Sequence, residues 1–486
     1  MNRLRQSCGI LVVVVAFVVL GSQLPITSAL KFGDDEGIEL MKGFLCSKGY
    51  TLYTQIWNDQ PPVLTMLLDG AFRLFGATLP VGRLLAAAFG LLLFCSLFLI
   101  VRQRGNLWMA FLAVFFLVCS PGVLMLSLSV MLEVPTFAIA LLSVYCLFRW
   151  SGRKRPVWLW ISGLVMGVAL GTKLTAILTL PAILLEIVLA TRNHKPGWQK
   201  IAMIAAAQWM GATVLVVILI TVLWGKESLQ TSFLSHFSER PVPGMPRPED
   251  FPFPLTMVVG HFECVAAALA GILLSMKRRT LRQMAFPITL LVTGLVIHLI
   301  HRPCWQYYYL HLAIPLSWLA AYAIYEAIIW SFAVLAKARS WFASAAGWKG
   351  VVICAVAALV ILRSERRLEG GIIDIRRRPP AESDAIVIKM KQNAMHTHWV
   401  YCEEPIYAFA SCSLTPPELA VVVIKRFWSH QLTASTTVEI CRQRQVDELV
   451  LSPQSGPEWQ AWLQADFVNI YRDASHAMFI SRTIHP

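Results

Sequence analysis

The sequence predicts a polytopic α-helical membrane protein with a small α/β domain at its C-terminal end. Of its 486 residues 57% are hydrophobic and only 14% are charged, whereas roughly a quarter of the residues in a soluble domain are charged. The mean hydropathy is +0.60. A helix needs roughly 20 apolar residues to span a bilayer, and about eleven runs approach that length. These runs cover residues 8–30, 80–101, 107–126, 132–150, 157–171, 174–191, 201–224, 255–276, 283–301, 305–330 and 348–363.

The basic residues are distributed as a membrane topology requires. The formal net charge is +14. If Arg3 and Arg5 are cytoplasmic, every second connection is cytoplasmic too, and these connections satisfy the positive-inside rule. Most of the excess charge is therefore topological and does not indicate a nucleic-acid partner. The basic residues in these connections are Arg102, Arg104, Arg149, Arg153, Lys154, Arg155, Arg192, Lys195, Lys200, Lys277, Arg278, Arg279, Arg282, Lys337, Arg339 and Lys349.

The first apolar run has two interpretations. It could be a cleaved signal peptide, with Thr27-Ser28-Ala29 as a weak processing site. Because many further spans follow it, we favour an uncleaved signal anchor, so residues 1–30 would stay in the mature protein.

The first external connection, 31–79, is long and does not have the composition of a flexible linker. Apolar residues recur at helical spacing over 35–45, which predicts an amphipathic helix in the membrane interface. A second helix is predicted over 63–75, which is too short to span a bilayer. Asp69 and Arg73 are one turn apart on that helix and could pair.

Other connections on the external side are the region around Glu133, the turn at 171–173, the segment 225–254, the junction at 301–303 and the tail after 364. The loop 240–254 has six prolines and therefore forms neither a helix nor a central strand. The sequence thus divides into a membrane domain over 1–363 and an external domain over 364–486.

The C-terminal segment has the composition of an ordinary soluble protein from about residue 381. We predict strands at 385–390, 398–402, 448–451 and 477–481, and helices at 417–430 and 437–444. This alternation indicates a small α/β domain of about 100 residues. The segment has no glycine-rich phosphate loop, nucleophile elbow or metal-ligand spacing, so we interpret it as an accessory domain, for instance one that binds an acceptor.

Carboxylates are concentrated directly after the first apolar run, at Asp34, Asp35 and Glu36. On a helix that begins here, Asp35 and Glu39 share a face while Glu36 points about 100° away. These acids could act on a substrate or hold a cation, or they could simply cap the helix. Glu133 lies between apolar residues, where an acid should face protein, water or a cation. The alternative is that Glu133 caps the following helix, which has Pro135 in its first turn.

Cations and aromatic rings lie at the same predicted face. Lys173 and Arg302 are at the outer ends of apolar runs and could bind a phosphate, or they could extend to the lipid interface without binding anything. Tyr307 and Tyr308 follow Arg302. Aromatic residues there are often interfacial, but sugars and isoprenoid chains also pack on such rings.

An ordered series of motifs resembles the GT-C integral-membrane glycosyltransferases. The series includes Asp35-Glu36-Gly37, Trp57-x-Asp59-Gln60-Pro61-Pro62, Arg83-Leu84, Glu133-Val134-Pro135, Gly171-Thr172-Lys173 and the Arg302–Tyr309 junction. Within that class the chain looks most like the glycosyltransferase family 39-like group, which contains protein O-mannosyltransferases and the lipid A aminoarabinose transferase. The resemblance covers roughly residues 10–330.

The resemblance implies a membrane glycosyltransferase with a GT-C fold. Its donor would be a sugar on a polyprenyl phosphate, its acceptor a lipid, a glycan or a protein, and its place the bacterial inner membrane with the site on the periplasmic side. Asp35 matches the general base and Glu36 its companion, while Asp34 remains an alternative base. Glu133, with Glu36, could hold a divalent cation. Lys173 and Arg302 are candidates for the donor phosphate, and Asp59, Tyr307 and Tyr308 are further site candidates.

A polytopic transporter or flippase of lipid-linked or small polar substrates is the alternative function. Transporters of this kind favour acids near the middle of the membrane and broken helices in two related halves. Here most acids fall at one face and no internal halves are apparent, so the sequence favours the transferase.

Overall fold

The computed structural model describes residues 2–192, 197–225, 245–337, 345–453 and 455–484, together with residues 227, 231 and 242. These residues form helices and one small sheet. The helices are α1 (Asn2–Ser22), α2 (Glu36–Ser47), α3 (Val63–Phe75), α4 (Leu79–Arg104), α5 (Leu107–Val118), α6 (Val123–Leu126), α7 (Glu133–Arg153), α8 (Pro156–Leu170), α9 (Leu180–Thr191), α10 (Trp198–Trp224), α11 (Leu255–Gly260), α12 (Phe262–Lys277), α13 (Leu281–Ile300), α14 (Tyr309–Lys337), α15 (Ala345–Arg376), α16 (Ala385–Asn393), α17 (Pro405–Ala410), α18 (Ile424–Trp428), α19 (Ala434–Gln443) and α20 (Pro457–Asp466). The strands are β1 (Val400–Cys402), β2 (Glu448–Leu451), β3 (Phe467–Arg472) and β4 (Ala477–Ser481).

The membrane part confirms the predicted fold class. Among the described residues, seven helices are long and apolar enough to cross a membrane, and the bent pair Pro248–Gly260 and Phe262–Lys277 would make an eighth span. Shorter apolar helices are found in α1, α5 and α8. Each of the roughly eleven predicted runs is mainly helical, but 107–126 is divided between α5 and α6, and 255–276 between the bent pair α11 and α12. Fewer than eleven helices are long enough to count as membrane spans, because α5 and α8 have only 12 and 15 residues.

Helix α7 is the most enclosed of the spans. About 78% of its apolar window is buried, whereas no other span exceeds 50%. It packs against α4 and α8, and it begins at Glu133. The enclosure of α7 therefore places a carboxylate inside the protein at one end of the bundle.

The first connection forms the two predicted helices, α2 and α3. Arg73 Nε donates to Asp69 Oδ1 at 2.6 Å, as expected from their spacing. Helix α2 does not lie open on the membrane surface, because its apolar residues join a buried cluster with residues of the C-terminal part. That cluster includes Leu40, Met41, Leu45, Leu68, Phe72, Ile406 and Phe409.

The C-terminal part contains a four-stranded sheet in the order β1-β2-β4-β3. Strands β1 and β2 are parallel, while β4 is antiparallel to both β2 and β3. The predicted strands at 398–402, 448–451 and 477–481 are confirmed in essence, and so is the helix at 437–444. Helix α20 and strand β3 were not predicted.

Two predictions in this part were wrong. Residues 385–390 form helix α16, because Asp384 Oδ1 accepts hydrogen bonds from the backbone nitrogens of Ile386 and Val387 at 2.9 and 3.2 Å and so caps a helix. The single helix predicted over 417–430 is interrupted. It consists of a 3₁₀ turn, Pro417–Leu419, and the short helix α18.

Backbone hydrogen bonds attach the C-terminal part to the residues just before the first connection. Leu30 N donates to Pro379 O at 2.9 Å, and Ala381 N donates to Ser28 O at 2.7 Å. Helix α15 runs from Ala345 to Arg376, so it continues past residue 364, where we placed the domain boundary.

The proline-rich loop is described only in part, since residues 240, 241, 243 and 244 lie outside the described ranges.

Candidate active site

A cavity of about 310 Å³ lies where three parts of the protein meet. One wall comes from α2 and the residues around it, the second from the membrane helices, and the third from the C-terminal part. Its lining includes Lys31, Asp34, Asp35, Glu39, Lys42, Asp59, Lys173, Trp305, Tyr307, Tyr308, Glu403, Glu404 and Lys425. It therefore unites most of the residues that the sequence pointed to.

Asp35 faces this cavity from the N-terminal end of α2. It occupies the N-cap position, but its side chain makes no capping hydrogen bond, so capping does not explain the carboxylate. Burial raises the pKa of Asp35 to about 6, and the nearby Glu133 raises it as well. Lys173 and a hydrogen bond from the Tyr307 hydroxyl act in the opposite direction and lower this pKa.

Lys173 and Glu133 form a buried ion pair beside Asp35. Lys173 Nζ donates to Glu133 Oε1, and the two side chains are 9% and 1% exposed. The ammonium also lies 5.4 and 5.2 Å from the ring centroids of Tyr307 and Tyr308. Burial lowers the pKa of Lys173, but Glu133 and Asp35 outweigh this effect and raise it above the ordinary value, so the cation is retained.

A backbone hydrogen bond between distant parts of the sequence holds Lys173 near the first connection. Val63 N, at the start of α3, donates to Gly171 O at 3.0 Å, two residues before Lys173. The turn after α8 is therefore held against α3. Asp35 and Lys173, which are distant in sequence, consequently reach the same cavity.

Glu36 does not face the cavity. Arg83 binds both of its oxygens, Nε to Oε1 at 2.9 Å and Nη2 to Oε2 at 2.8 Å, and both side chains are fully buried. Phe32 N also donates to Glu36 Oε2 at 2.8 Å. With its oxygens occupied in this way, Glu36 is placed to fix the chain before Asp35 rather than to touch a substrate or hold a cation.

The remaining predicted residues fall into two groups. Asp59 is 7% exposed and lies in the cavity wall. Asp34 is at the cavity mouth, with its side chain 89% exposed. Arg302 is not in the wall, because its Nη1 donates to the carbonyls of His298 and His301 at 2.9 and 3.0 Å. The structure therefore brings Lys173, but not Arg302, to the position expected for a phosphate ligand.

Several cavity residues were not predicted. Glu39 and Lys42 form a buried pair at 2.8 Å, and Lys42 Nζ also donates to Asn58 Oδ1 at 2.9 Å. The sequence did contain a signal for Glu39, because it lies on the same helical face as Asp35. Glu403, Glu404 and Lys425 come from the C-terminal part, and no sequence pattern linked that part to the first connection.

The carboxylates here do not form a ready cation site. Glu133 is bound to Lys173 and Glu36 to Arg83, so the two proposed ligands each already have a cationic partner and do not converge. Within the described ranges, no three His, Cys, Asp or Glu side chains are grouped as metal ligands would be. The donor set thus does not fit a divalent cation held by Glu133 and Glu36.

Part of the chain matches a known protein family. Residues 59–224 match the family described as dolichyl-phosphate-mannose-protein mannosyltransferase. No curated protein sequence matches the chain.

Solved structures with the same fold include ArnT from Cupriavidus metallidurans bound to undecaprenyl phosphate. The match has a TM-score of 0.65 at 16% identity and covers 96% of this chain and 97% of that chain. The archaeal oligosaccharyltransferase AglB from Archaeoglobus fulgidus, in complex with an inhibitory peptide and a dolichol-phosphate, matches with a TM-score of 0.58 at 14% identity. That match covers 92% of this chain and 69% of that chain. These likenesses show that the chain has the GT-C fold of ArnT and AglB, and the family match covers residues 59–224 of its 486 residues.

Proposed function

We propose that the protein transfers a sugar from a polyprenyl-phosphate donor to a hydroxyl group of a lipid, glycan or protein acceptor. The observation that carries this proposal is the cavity that brings Asp35 together with the Lys173–Glu133 pair and Tyr307. Two solved structures with this fold, ArnT with undecaprenyl phosphate and AglB with dolichol-phosphate and a peptide, support a lipid-phosphate donor. The positive-inside pattern supports a site on the periplasmic side of a bacterial inner membrane.

Asp35 acts as the general base in this proposal. The acceptor oxygen attacks the anomeric carbon of the sugar, the proton of its hydroxyl passes to Asp35, and the bond to the phosphate oxygen breaks with its electron pair left on the phosphate. A single displacement of this kind inverts the anomeric centre, through an oxocarbenium-like transition state. A base whose pKa is about 6 is unprotonated near neutral pH and still basic enough to accept the proton.

Lys173 contributes a positive charge to the donor phosphate. An ammonium acts on phosphate as a point charge, and it stabilises negative charge most where water is excluded. Because Glu133 holds Lys173 in a buried position, the pair acts as a fixed element of the wall. Tyr307 orients the Asp35 carboxylate by donating a hydrogen bond to it.

The test is an assay of the purified full-length protein with a panel of labelled polyprenyl-phosphate sugars and membrane lipid fractions. We expect Asp35→Asn to reduce transfer by roughly a hundredfold to ten-thousandfold, the usual contribution of a general base. Asp34→Asn is the matched control, since Asp34 is the exposed neighbour, and it should transfer at the wild-type rate. If both variants transferred at the wild-type rate, the proposed site would be wrong.

A further inference from the structure

Four lysines line the cavity, and three of them already have an acidic partner. Lys31 Nζ lies 2.8 Å from Glu404 Oε2, Lys42 Nζ lies 2.8 Å from Glu39 Oε1, and Lys173 is bound to Glu133. The fourth is Lys425, on α18 of the C-terminal part. In the described part of the chain, no carboxylate lies within ion-pair distance of Lys425.

The acids that also line this wall are engaged elsewhere. Glu404 binds Lys31 and lies 3.6 Å from His476, while Glu403 Oε2 accepts from Ser452 N at 2.7 Å. Lys425 is only partly exposed and lines the cavity. Its charge is consequently available to a ligand of the cavity.

The short helix α18 is held in place by the neighbours of Lys425. Arg426 Nη1 donates to the carbonyls of Glu418 and Val421 at 2.8 and 2.9 Å, and its guanidinium lies 4.9 Å from the ring of Trp57 in the first connection. Trp428 Nε1 donates to Pro246 O at 2.9 Å. These contacts fix the backbone of α18 against the membrane part, so the position of Lys425 does not depend on a bond of its own.

The proposed reaction changes the charge on the donor phosphate. Before transfer the phosphate is a diester with one negative charge, and afterwards it is a monoester with a charge of about −1.5 to −2 at neutral pH. A cation without a bound carboxylate is better placed to stabilise the added charge than one that is already paired. Lys173 carries a bound carboxylate in the ground state, whereas Lys425 does not.

We propose that Lys425 binds the donor phosphate and stabilises the charge that develops on it as the sugar departs, so that the C-terminal part completes the active site. This inference rests on the proposed sugar transfer from a polyprenyl phosphate. It also assigns the C-terminal part a role other than acceptor binding. The product, a phosphate monoester, is then held more strongly by Lys425 than the diester donor is.

The experiment measures lipid binding to the full-length protein in nanodiscs. Three probes share the undecaprenyl chain and differ in the charge of their headgroup: undecaprenyl phosphate, its methyl diester and undecaprenol. Lys425→Gln is expected to weaken binding of undecaprenyl phosphate by about tenfold or more, as for a lost hydrogen bond to a charged group. It should weaken binding of the diester less and leave undecaprenol unchanged. Lys425→Arg keeps the charge and should retain most of the affinity.

Lys391→Gln provides the matched control, because Lys391 is an exposed lysine of the same C-terminal part that is not in the cavity wall. It should bind all three probes as the wild type does, and thermal unfolding should show that each variant is folded. If the wild type prefers undecaprenyl phosphate to undecaprenol and Lys425→Gln keeps the full preference, the inference about Lys425 is wrong while the proposed function stands. If the wild type shows no such preference, the proposed donor is wrong as well.

Discussion

Gly37 lies directly against the backbone of Ile406. A Cβ atom at position 37 would be 2.5 Å from Ile406 N, a separation that real Cβ atoms do not show. Gly37 is the second residue of α2 and Ile406 the second residue of α17, so these helices touch at the level of the main chain. Since Asp35 is only two residues away, this contact determines how closely the C-terminal part covers the proposed base.

We expect Gly37→Ala to separate α2 from α17. The added methyl group meets backbone rather than a flexible side chain, so the cost should be about 1–3 kcal/mol, as for overpacked cores. Thermal unfolding and limited proteolysis of the C-terminal part would report the change. Gly70→Ala is the control, because nothing lies within 4 Å of a Cβ there. That exposed helical position should be stabilised by about 0.5–1 kcal/mol, and equal effects at both sites would contradict the packing argument.

The pH dependence of transfer should report the pKa of Asp35. The carboxylate is the active form, so kcat/KM should rise with pH and level off above about 6. The Tyr307 hydrogen bond lowers this pKa, and Tyr307→Phe should therefore move the rising limb to higher pH. Asp34→Asn should leave the limb where it is. A limb that did not move in Tyr307→Phe would show that Tyr307 does not act through Asp35.

Glu36→Gln should lower the free energy of unfolding, so any loss of transfer would follow from loss of stability. It leaves Arg83 as a fully buried cation without its carboxylate, which typically costs about 3–5 kcal/mol. Asp35→Asn breaks no ion pair and should unfold at nearly the wild-type temperature. Thermal unfolding of the two variants in the same detergent separates the roles. If Glu36→Gln kept the wild-type Tm and lost transfer, Glu36 would instead take part directly in the reaction.

Two exposed cysteines, Cys8 and Cys412, allow the orientation to be tested with the native side chains. The positive-inside pattern predicts that Cys8 is at the cytoplasmic end of α1 and that Cys412, in the C-terminal part, is on the external side. In spheroplasts with an intact inner membrane, a membrane-impermeant maleimide should therefore label the protein at Cys412. Cys412→Ser should remove that label and Cys8→Ser should not. The reverse pattern would overturn the assigned topology.

The sequence was most informative where the physical signal is local. The apolar runs became helical because a segment of roughly 20 apolar residues has few other stable structures. Helices α2 and α3 were predicted from periodicity and the Asp69–Arg73 pair from its one-turn spacing. The mistaken strand at 385–390 shows the limit of this reasoning, since short apolar runs fit either structure and the cap at Asp384 decided between them.

The long-range pairings could not be predicted from the same signals. The partner of Glu36 is Arg83, 47 residues away on a membrane helix, and no periodicity connects the two. Without that pairing, the sequence suggested Glu36 as a companion of Asp35 in the reaction. Lys425 is an ordinary lysine in a soluble segment, and only the docking of α18 on Trp57 brings it to the cavity.

Because α2, α3 and α17 share one buried cluster, the membrane part and the C-terminal part depend on each other for their stability. If the chain were cut after the last membrane helix, Leu40 and Phe72 would lose the partners that Ile406 and Phe409 provide, and each fragment would expose apolar surface to water. Neither half would then be expected to behave as an independent module that could be exchanged between relatives.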